Sequence, residues 1–226
     1  MLETNHTEKQ NQDLSLKINE IFYSIQGEST LAGWPTVFVR TTGCNIRCNY
    51  CDTKYSYYEG TEFLLSQLET KIKSYKAQHV CITGGEPMAQ KNILPLMKNL
   101  CDQGYTVSLE TNGYYDTTQV DSRVIKVIDI KTPDSDAGNS FNFKNLEALN
   151  PQDQIKFVLC SENDYEWAKQ LISEKSLEKK CTVFMSPAFE TMSNKSLAEK
   201  ILSDSLHVRL QLQLHKYIWN PNTRGV

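Results

Sequence analysis

Apolar and polar positions alternate with a period of two in a series of short runs along this chain, and most runs end at a glycine, proline or asparagine. Residues 16–25, Leu-Lys-Ile-Asn-Glu-Ile-Phe-Tyr-Ser-Ile, alternate and read as extended chain. Residues 36–42, Thr-Val-Phe-Val-Arg-Thr-Thr, are rich in β-branched side chains and predict a strand that Gly43 breaks. Further strands are expected over 79–83, 105–109, 124–130, 155–159, 181–185 and, from its alternation, 206–214. The period lengthens over 62–77, where Phe63, Leu64, Leu68, Ile72 and Tyr75 recur close to helical spacing and predict one amphipathic helix. Helices are also expected over 88–103, interrupted at Pro95, over 164–175 with Trp167, Leu171 and Ile172 on one face, and over 196–202. Residues 135–150 look irregular.

Strands alternating with helices imply a mostly parallel sheet with crossover helices. About six core strands with fewer clear helices predict an α/β fold of a particular kind: a partial, modified (β/α)6-type barrel with some crossovers missing. The chain has 226 residues, enough for one sizeable core. A flexible tail over 1–15 and a single domain over 16–226 are expected, since no repeat or linker-like shift in composition divides the sequence. The first 13 residues are polar and lack an apolar stretch, so they read as a loose tail rather than a signal peptide.

Composition narrows the class. Hydrophobic content of 39% and charged content of 23% fit a soluble globular protein. A net charge of −3 argues against a broad electrostatic nucleic-acid binder. No apolar run reaches membrane-spanning length. Seven cysteines, an odd number without a secretory segment, point to reduced thiols and a cytoplasmic setting.

The expected strands end in polar, turn-rich segments, and in barrels the C-terminal strand ends build the active site. After the second strand, Cys44-Asn45-Ile46-Arg47-Cys48-Asn49-Tyr50-Cys51 places three thiols on one loop with C-x3-C-x2-C spacing. Three thiolates are one short of a four-cysteine shell. A [4Fe-4S] cluster held this way keeps one iron free to chelate the amino and carboxylate groups of S-adenosylmethionine, whose reduction gives a 5′-deoxyadenosyl radical. A structural zinc site is the alternative. It needs a fourth ligand, for which His79 and Cys81 are distant candidates, and spacing alone leaves it open.

Other strand ends add polar groups. Gly84-Gly85 after Thr83 lets backbone approach a ligand closely, and Glu86 is placed to fix an ammonium. Thr53 carries either a hard oxygen for magnesium or a loop-capping hydroxyl. Arg40, on a strand otherwise made for burial, needs an anion. That anion is either a structural partner such as Glu28 or Glu110, or a substrate carboxylate held by the planar guanidinium fork. Gln26 and Glu28 offer amide and carboxylate edges suited to the side-by-side donors and acceptors of an aminopyrimidinone.

The three-cysteine spacing resembles the radical S-adenosylmethionine superfamily. Within it, residues from about 18 to 217 resemble one family, the 7-carboxy-7-deazaguanine synthases of queuosine (7-deazapurine) biosynthesis. The motifs are FYSIQGE from Phe22, CNIRCNYCDT from Cys44, TGGEP from Thr83, ETNG from Glu110, DIKTP from Asp129 and QLHKY from Gln213. The resemblance implies a carbon–nitrogen lyase that converts 6-carboxy-5,6,7,8-tetrahydropterin to 7-carboxy-7-deazaguanine with loss of ammonia. The adenosyl radical takes a hydrogen from substrate C6 and is regenerated. It also implies magnesium, a homodimer, an external electron donor such as flavodoxin or ferredoxin, and no nucleic-acid or membrane partner.

Carried over by position, Cys44, Cys48 and Cys51 hold the cluster and Thr53 binds magnesium. Ile25, Gln26, Gly27, Arg40 and Thr83 meet the substrate. Tyr50, Cys51, Asp52, Gly85, Lys131, Thr132 and Ser186 surround S-adenosylmethionine. Some family members end in a proline whose carboxylate reaches the substrate; here Pro221 stands at that spacing and Asn222-Thr223-Arg224-Gly225-Val226 follow, so either the Val226 carboxylate takes over or the contact is absent. A glycyl-radical activase of the same superfamily shares the cysteine spacing but is expected to lack the SIQGE segment and Arg40.

Overall fold

The sheet begins at β1 (Ser15–Ile25), which pairs antiparallel with β2 (Pro35–Thr41) on one side and with β3 (Thr61–Leu64) on the other. The computed structural model describes residues 14–226, so residues 1–13 of the expected tail lie outside the described residues, and Ser15 already belongs to β1. From β2 onward the order is β4 (His79–Gly84), β5 (Thr106–Thr111), β6 (Ile125–Asp129), β7 (Gln154–Leu159), β8 (Thr182–Pro187) and β9 (Arg209–Leu210), every neighbour parallel. The nine strands found among the described residues form an open sheet, with β3 at one edge and β9 at the other. The helices are α1 (Leu65–Ser74), α2 (Ile93–Asp102), α3 (Glu162–Lys175), α4 (Asn194–Ser203) and the single turn α5 (His215–Ile218). Between β5 and β6 the chain crosses without a helix, and between β6 and β7 it crosses with only two short 3-10 turns, Pro133–Ser135 and Phe143–Glu147. This is the expected partial barrel with crossovers missing.

Strand alternation separates two chemistries. Val37 and Val39, Val80 and Ile82, and Val107 and Leu109 point to a core shared with Leu65, Leu68 and Ile72 of α1 and Ile93, Leu96, Met97 and Leu100 of α2. Ile155, Phe157, Leu159, Val183 and Met185 form a second core with Tyr165, Ala168, Leu171 and Ile172 of α3 and Leu197 and Ile201 of α4. Each such side chain stabilises the fold by about 1.5–3 kcal/mol when fully buried. The intervening residues point the other way, and Phe38, Arg40, Thr83, Glu110, Asp129, Lys156 and Ser186 all line one cavity.

Three expectations are corrected. The helix expected over 62–77 starts only at Leu65, because residues 61–64 pair with Ser15–Ile18 as an edge strand. Phe63 and Leu64 fit helical spacing, yet Phe63 packs on the core from that edge. Pro95 does not interrupt α2. It is the third residue of the helix, where its missing N–H would have no intrahelical acceptor. The last strand shrinks from 206–214 to Arg209–Leu210, and the chain beyond it leaves the ladder to reach Gly27, whose C=O accepts from Leu214 N–H, with Leu210, Leu212 and Leu214 exposed.

Candidate active site

The cysteine loop leaves the C-terminal end of β2 and is tied to the ends of three further strands. Glu86 N–H, beyond β4, donates to Gly43 C=O at 2.7 Å. Asn112 Nδ2, beyond β5, donates to Asn45 Oδ1 at 2.9 Å. Beyond β6, Asn49 Nδ2 donates to Asp134 C=O at 2.6 Å and its N–H to Ser135 C=O at 3.1 Å. Gly85 is required where the loop and β4 meet, since a Cβ there would overlap the Gly43 carbonyl.

Cys44, Cys48 and Cys51 all line the cavity and are free thiols. Burial raises Cys44 above the usual thiol range and pushes Cys48 up to about 11. The zinc alternative loses its fourth ligand. His79 sits at the opposite end of β4, packed against Trp34 at 5.2 Å, and Cys81 is fully buried within that strand. Among the described residues, no three His, Cys, Asp or Glu side chains, the three thiols included, are gathered as a ready-made ion site, so the loop supplies ligands without a preformed cage. Three thiols on one loop, facing a cavity of about 510 Å³, instead fit a cluster with one coordination position left for a second molecule.

The residues expected around that second molecule gather here, with one exception. Tyr50, Asp52, Gly85, Lys131 and Ser186 line the cavity. Lys131 Nζ bonds Asp129 Oδ2 at 2.7 Å and Tyr50 Oη at 3.3 Å. Burial opposes the Lys131 charge, but Asp129, Tyr50 and Cys48 more than offset this, so its pKa is raised. Asp52 pairs with Lys216 Nζ at 3.0 Å, which brings α5 to the cysteine loop. Thr132 is the exception: it is fully buried, its hydroxyl donates to Val158 C=O at 3.1 Å, and it does not line the cavity. Glu86 also departs from expectation. Its carboxylate accepts from Met88 N–H, Thr111 Oγ1 and Asn112 N–H at 2.7–2.9 Å. It is fully buried, so it joins the ends of β4 and β5 and has no face for an ammonium.

The other half of the cavity holds Ile25, Gln26, Gly27, Arg40 and Thr83, as expected. Arg40 finds a partner that the sequence did not suggest. Glu20, directly across the β1–β2 ladder, accepts from its Nε at 2.7 Å. Tyr55 Oη donates to the same Glu20 oxygen at 2.9 Å. Burial disfavours the Arg40 charge, yet Tyr55, Glu20 and Glu110 more than offset it and raise its pKa. Only Nε is engaged within the described residues, so the terminal guanidinium nitrogens are left to face the cavity. Thr83 Oγ1 donates to Glu110 Oε2 at 2.8 Å. Gly27 packs on His215 so closely that a Cβ would overlap the ring, and its C=O accepts from Leu214 N–H at 3.0 Å.

Thr53 immediately precedes the 3-10 turn Lys54–Tyr57, but its hydroxyl makes no capping bond. The turn is closed by its carbonyl, which accepts from Ser56 N–H and Ser56 Oγ. The hydroxyl faces the cavity, 3.7 Å from Cys51 Sγ. Sequence reasoning missed Lys156 as a wall residue, although a lysine between Ile155 and Phe157 of a buried strand was the available signal. It also missed Tyr55, which supports Arg40 through Glu20, and Arg224, whose guanidinium lies 3.7 Å over the Tyr55 ring. Residues 221–226 line the cavity beside them. A second groove of about 830 Å³, between α3 and residues 205–208, lies away from the strand ends that carry the thiols.

An open parallel sheet whose strand ends surround a three-thiol loop and a second polar pocket defines an enzyme of the radical S-adenosylmethionine class, and residues 38–174 match the family described as the Radical SAM superfamily. A 7-carboxy-7-deazaguanine synthase from Chlorobaculum tepidum is 45% identical over 214 residues, covering 93% of this chain and 97% of that one. One from Koribacter versatilis is 40% identical over 226 residues, covering 93% and 100%. The crystal structure of QueE from Escherichia coli has the same fold, with a TM-score of 0.77 at 24% identity over 92% of this chain and 98% of that one. The chain belongs to the 7-carboxy-7-deazaguanine synthase family, whose radical chemistry uses a [4Fe-4S] cluster and S-adenosylmethionine.

Proposed function

We propose that this chain converts 6-carboxy-5,6,7,8-tetrahydropterin to 7-carboxy-7-deazaguanine with loss of ammonia, in queuosine biosynthesis. The observation that carries the reading is one cavity with two lobes: the three-thiol loop on one side, and Gln26, Glu28, Arg40 and Thr83 on the other. When bound, the cluster and S-adenosylmethionine supply one-electron chemistry able to take a hydrogen atom from substrate C6. The chain's own residues orient the partners. Cys44, Cys48 and Cys51 hold the cluster, and Tyr50, Asp52, Gly85, Lys131 and Ser186 wall the S-adenosylmethionine side. Arg40 takes the substrate carboxylate through its free nitrogens. Gln26 is almost fully buried and the Glu28 side chain mostly so, and they face the aminopyrimidinone edge with fixed donors and acceptors. An activase acting on a protein would have no use for this enclosed polar lobe.

The test is anaerobic incubation of reconstituted enzyme with the carboxypterin, S-adenosylmethionine and reductant, followed by mass analysis. Formation of 7-carboxy-7-deazaguanine supports the reading. Cleavage of S-adenosylmethionine without that product would refute it.

Magnesium belongs to the same proposal. The Thr53 hydroxyl is free of capping duty and close to the thiol loop, which suits one hard oxygen of a shell completed by substrate oxygens and water. Thr53→Ala is expected to lose most of the magnesium stimulation of turnover at unchanged iron content, and Thr53→Ser to keep it. Rates with and without magnesium, normalised to iron, decide this; an unaltered response in Thr53→Ala removes the residue from the metal site.

Among the described residues no helix is long and apolar enough to cross a membrane. The proposed setting is a single domain over 16–226 in the cytoplasm, reduced by a flavodoxin or ferredoxin. A homodimer fits the exposed edge beyond β9, where Leu210, Leu212, Leu214, Tyr217 and Ile218 present apolar surface. Sedimentation equilibrium should give twice the 25.9 kDa chain mass, and a monomer at micromolar concentration would count against it.

A further inference from the structure

Across the wall of the cavity run four charges of alternating sign: Glu28, Lys156, Asp129 and Lys131. Lys156 Nζ lies 2.6 Å from Glu28 Oε2 and 3.7 Å from Asp129 Oδ2. Lys131 Nζ takes the same Asp129 oxygen at 2.7 Å. The other Glu28 oxygen, Oε1, accepts from Gln213 Nε2 at 2.9 Å. The side chains of Lys156 and Glu28 are only 12% and 13% exposed. Desolvating an ion pair to this degree costs several kcal/mol per ion before pairing repays it, so the pair is a poor device for stability alone.

Its geometry favours a different role. A carboxylate oxygen has two acceptor positions, and here each Glu28 oxygen spends one on a protein donor. One position per oxygen remains, side by side, on a carboxylate held from two directions. Adjacent N–H donors on one edge of a flat heterocycle match that arrangement.

We propose that Lys156 is a positioning residue: it holds Glu28 ionised and in one orientation, so that both Glu28 oxygens accept hydrogen bonds from the aminopyrimidinone edge of the substrate. This deepens the carboxypterin reading and rests on it. The groups facing Glu28 are Lys156 from β7 and Gln213 and His215 from the segment around α5. Those facing Lys156 are Glu28, Asp129 from β6 and Glu110 from β5, all acidic. Burial alone pushes Glu28 upward, and Lys156, with Gln213 and His215, holds it at about 2 instead. Without the ammonium the burial penalty stays, and Glu28 takes up a proton as the pH falls. A protonated Glu28 has lost an acceptor position and carries no charge, so binding weakens further on the acid side.

The experiment measures carboxypterin affinity by anaerobic calorimetry on the reconstituted enzyme with S-adenosylmethionine but no reductant, from about pH 5.5 to about pH 8, spanning the neutral range. Wild type is expected to show a flat Kd on the Glu28 account. Lys156→Met should bind more weakly at every pH because Glu28 is no longer held in one orientation, with Kd rising by about a further tenfold for each pH unit below a new midpoint. Lys156→Arg keeps the charge and should stay flat. Adding Glu28→Gln to Lys156→Met should abolish the pH dependence. A loss of affinity in Lys156→Met that is equal at every pH, or a lowered Tm with unchanged binding, would make Lys156 merely structural and overturn the proposal. If Lys156→Met does not fold, the infrared spectrum of carbon-13 glutamate-labelled wild type, assigned with Glu28→Gln, decides: a protonated Glu28 band at neutral pH overturns it. If wild type converts the pterin and Lys156→Met is flat, this proposal alone fails. If wild type does not bind the pterin, the functional reading fails first.

Discussion

Cys48→Ala enzyme, reconstituted anaerobically with iron and sulfide, is expected to form no detectable 7-carboxy-7-deazaguanine and to hold far less than the about four irons per chain of a [4Fe-4S] cluster. Cys48 is the middle thiol of the loop and is buried, so no solvent ligand replaces it readily. Its carbonyl, which accepts from Cys51 N–H at 3.3 Å, is untouched by the substitution, so the loop keeps its turn. Trading a thiol for a methyl removes little volume, and the loss of stability should stay near about 1 kcal/mol, the centre of the range for single substitutions. A folded protein with a melting temperature lowered by only about 2–4 °C and no brown colour is therefore the expected result. The informative contrary outcome is full iron content with activity. It would mean that another thiol had entered the shell, and Cys160, 4.0 Å from the side-chain oxygen of Asn49, is placed to be tried next by a double substitution.

Arg40→Lys is expected to lower kcat/KM by roughly ten- to a hundredfold, the equivalent of one charge-assisted hydrogen bond of about 1.5–3 kcal/mol. Iron content and S-adenosylmethionine affinity should not change. In the wild type, Nε is committed to Glu20, which Tyr55 also holds, and this aims the two terminal nitrogens at the cavity. A lysine has one nitrogen for both tasks. If it satisfies Glu20 it abandons the carboxylate, and if it reaches the carboxylate it leaves Glu20 half-buried without a cation. The loss should appear in KM for the carboxypterin more than in melting temperature. Wild-type kinetics with a lowered melting temperature would reduce Arg40 to a structural ion pair with Glu20.

The strands that position the site were readable because each obeys one rule. Val37, Val39, Val80 and Ile82 alternate with Phe38, Arg40, Cys81 and Thr83, and the sheet places the first set in the core and the cavity-lining residues in the second. The thiol loop was readable because its three ligands are local in sequence. What escaped was whatever depended on a distant partner. Residues 61–64 carry no signal that Ser15–Ile18 will pair with them. Glu20 was hidden because the ladder that sets it opposite Arg40 contains a register shift between Ile18 and Glu20. Glu86 looked like a ligand until Thr111 and Asn112, from the next strand, were found to occupy it. Thr132 adjoins a wall residue in sequence, but its side chain points to Val158.

The four-way anchoring of the thiol loop also sets a schedule. All three cluster ligands leave the ribosome together, but Asn49 waits for Asp134, 85 residues further along the chain. At about 5–20 residues per second that wait lasts roughly 4–17 s. During it Cys44, Cys48 and Cys51 hang on a segment whose final shape has no support from β6. A nascent chain is thus a poor acceptor for iron and sulfide, and the finished sheet a good one. Only a chain made at least as far as Asp134, about three-fifths of its length, can give the loop its support from beyond β6.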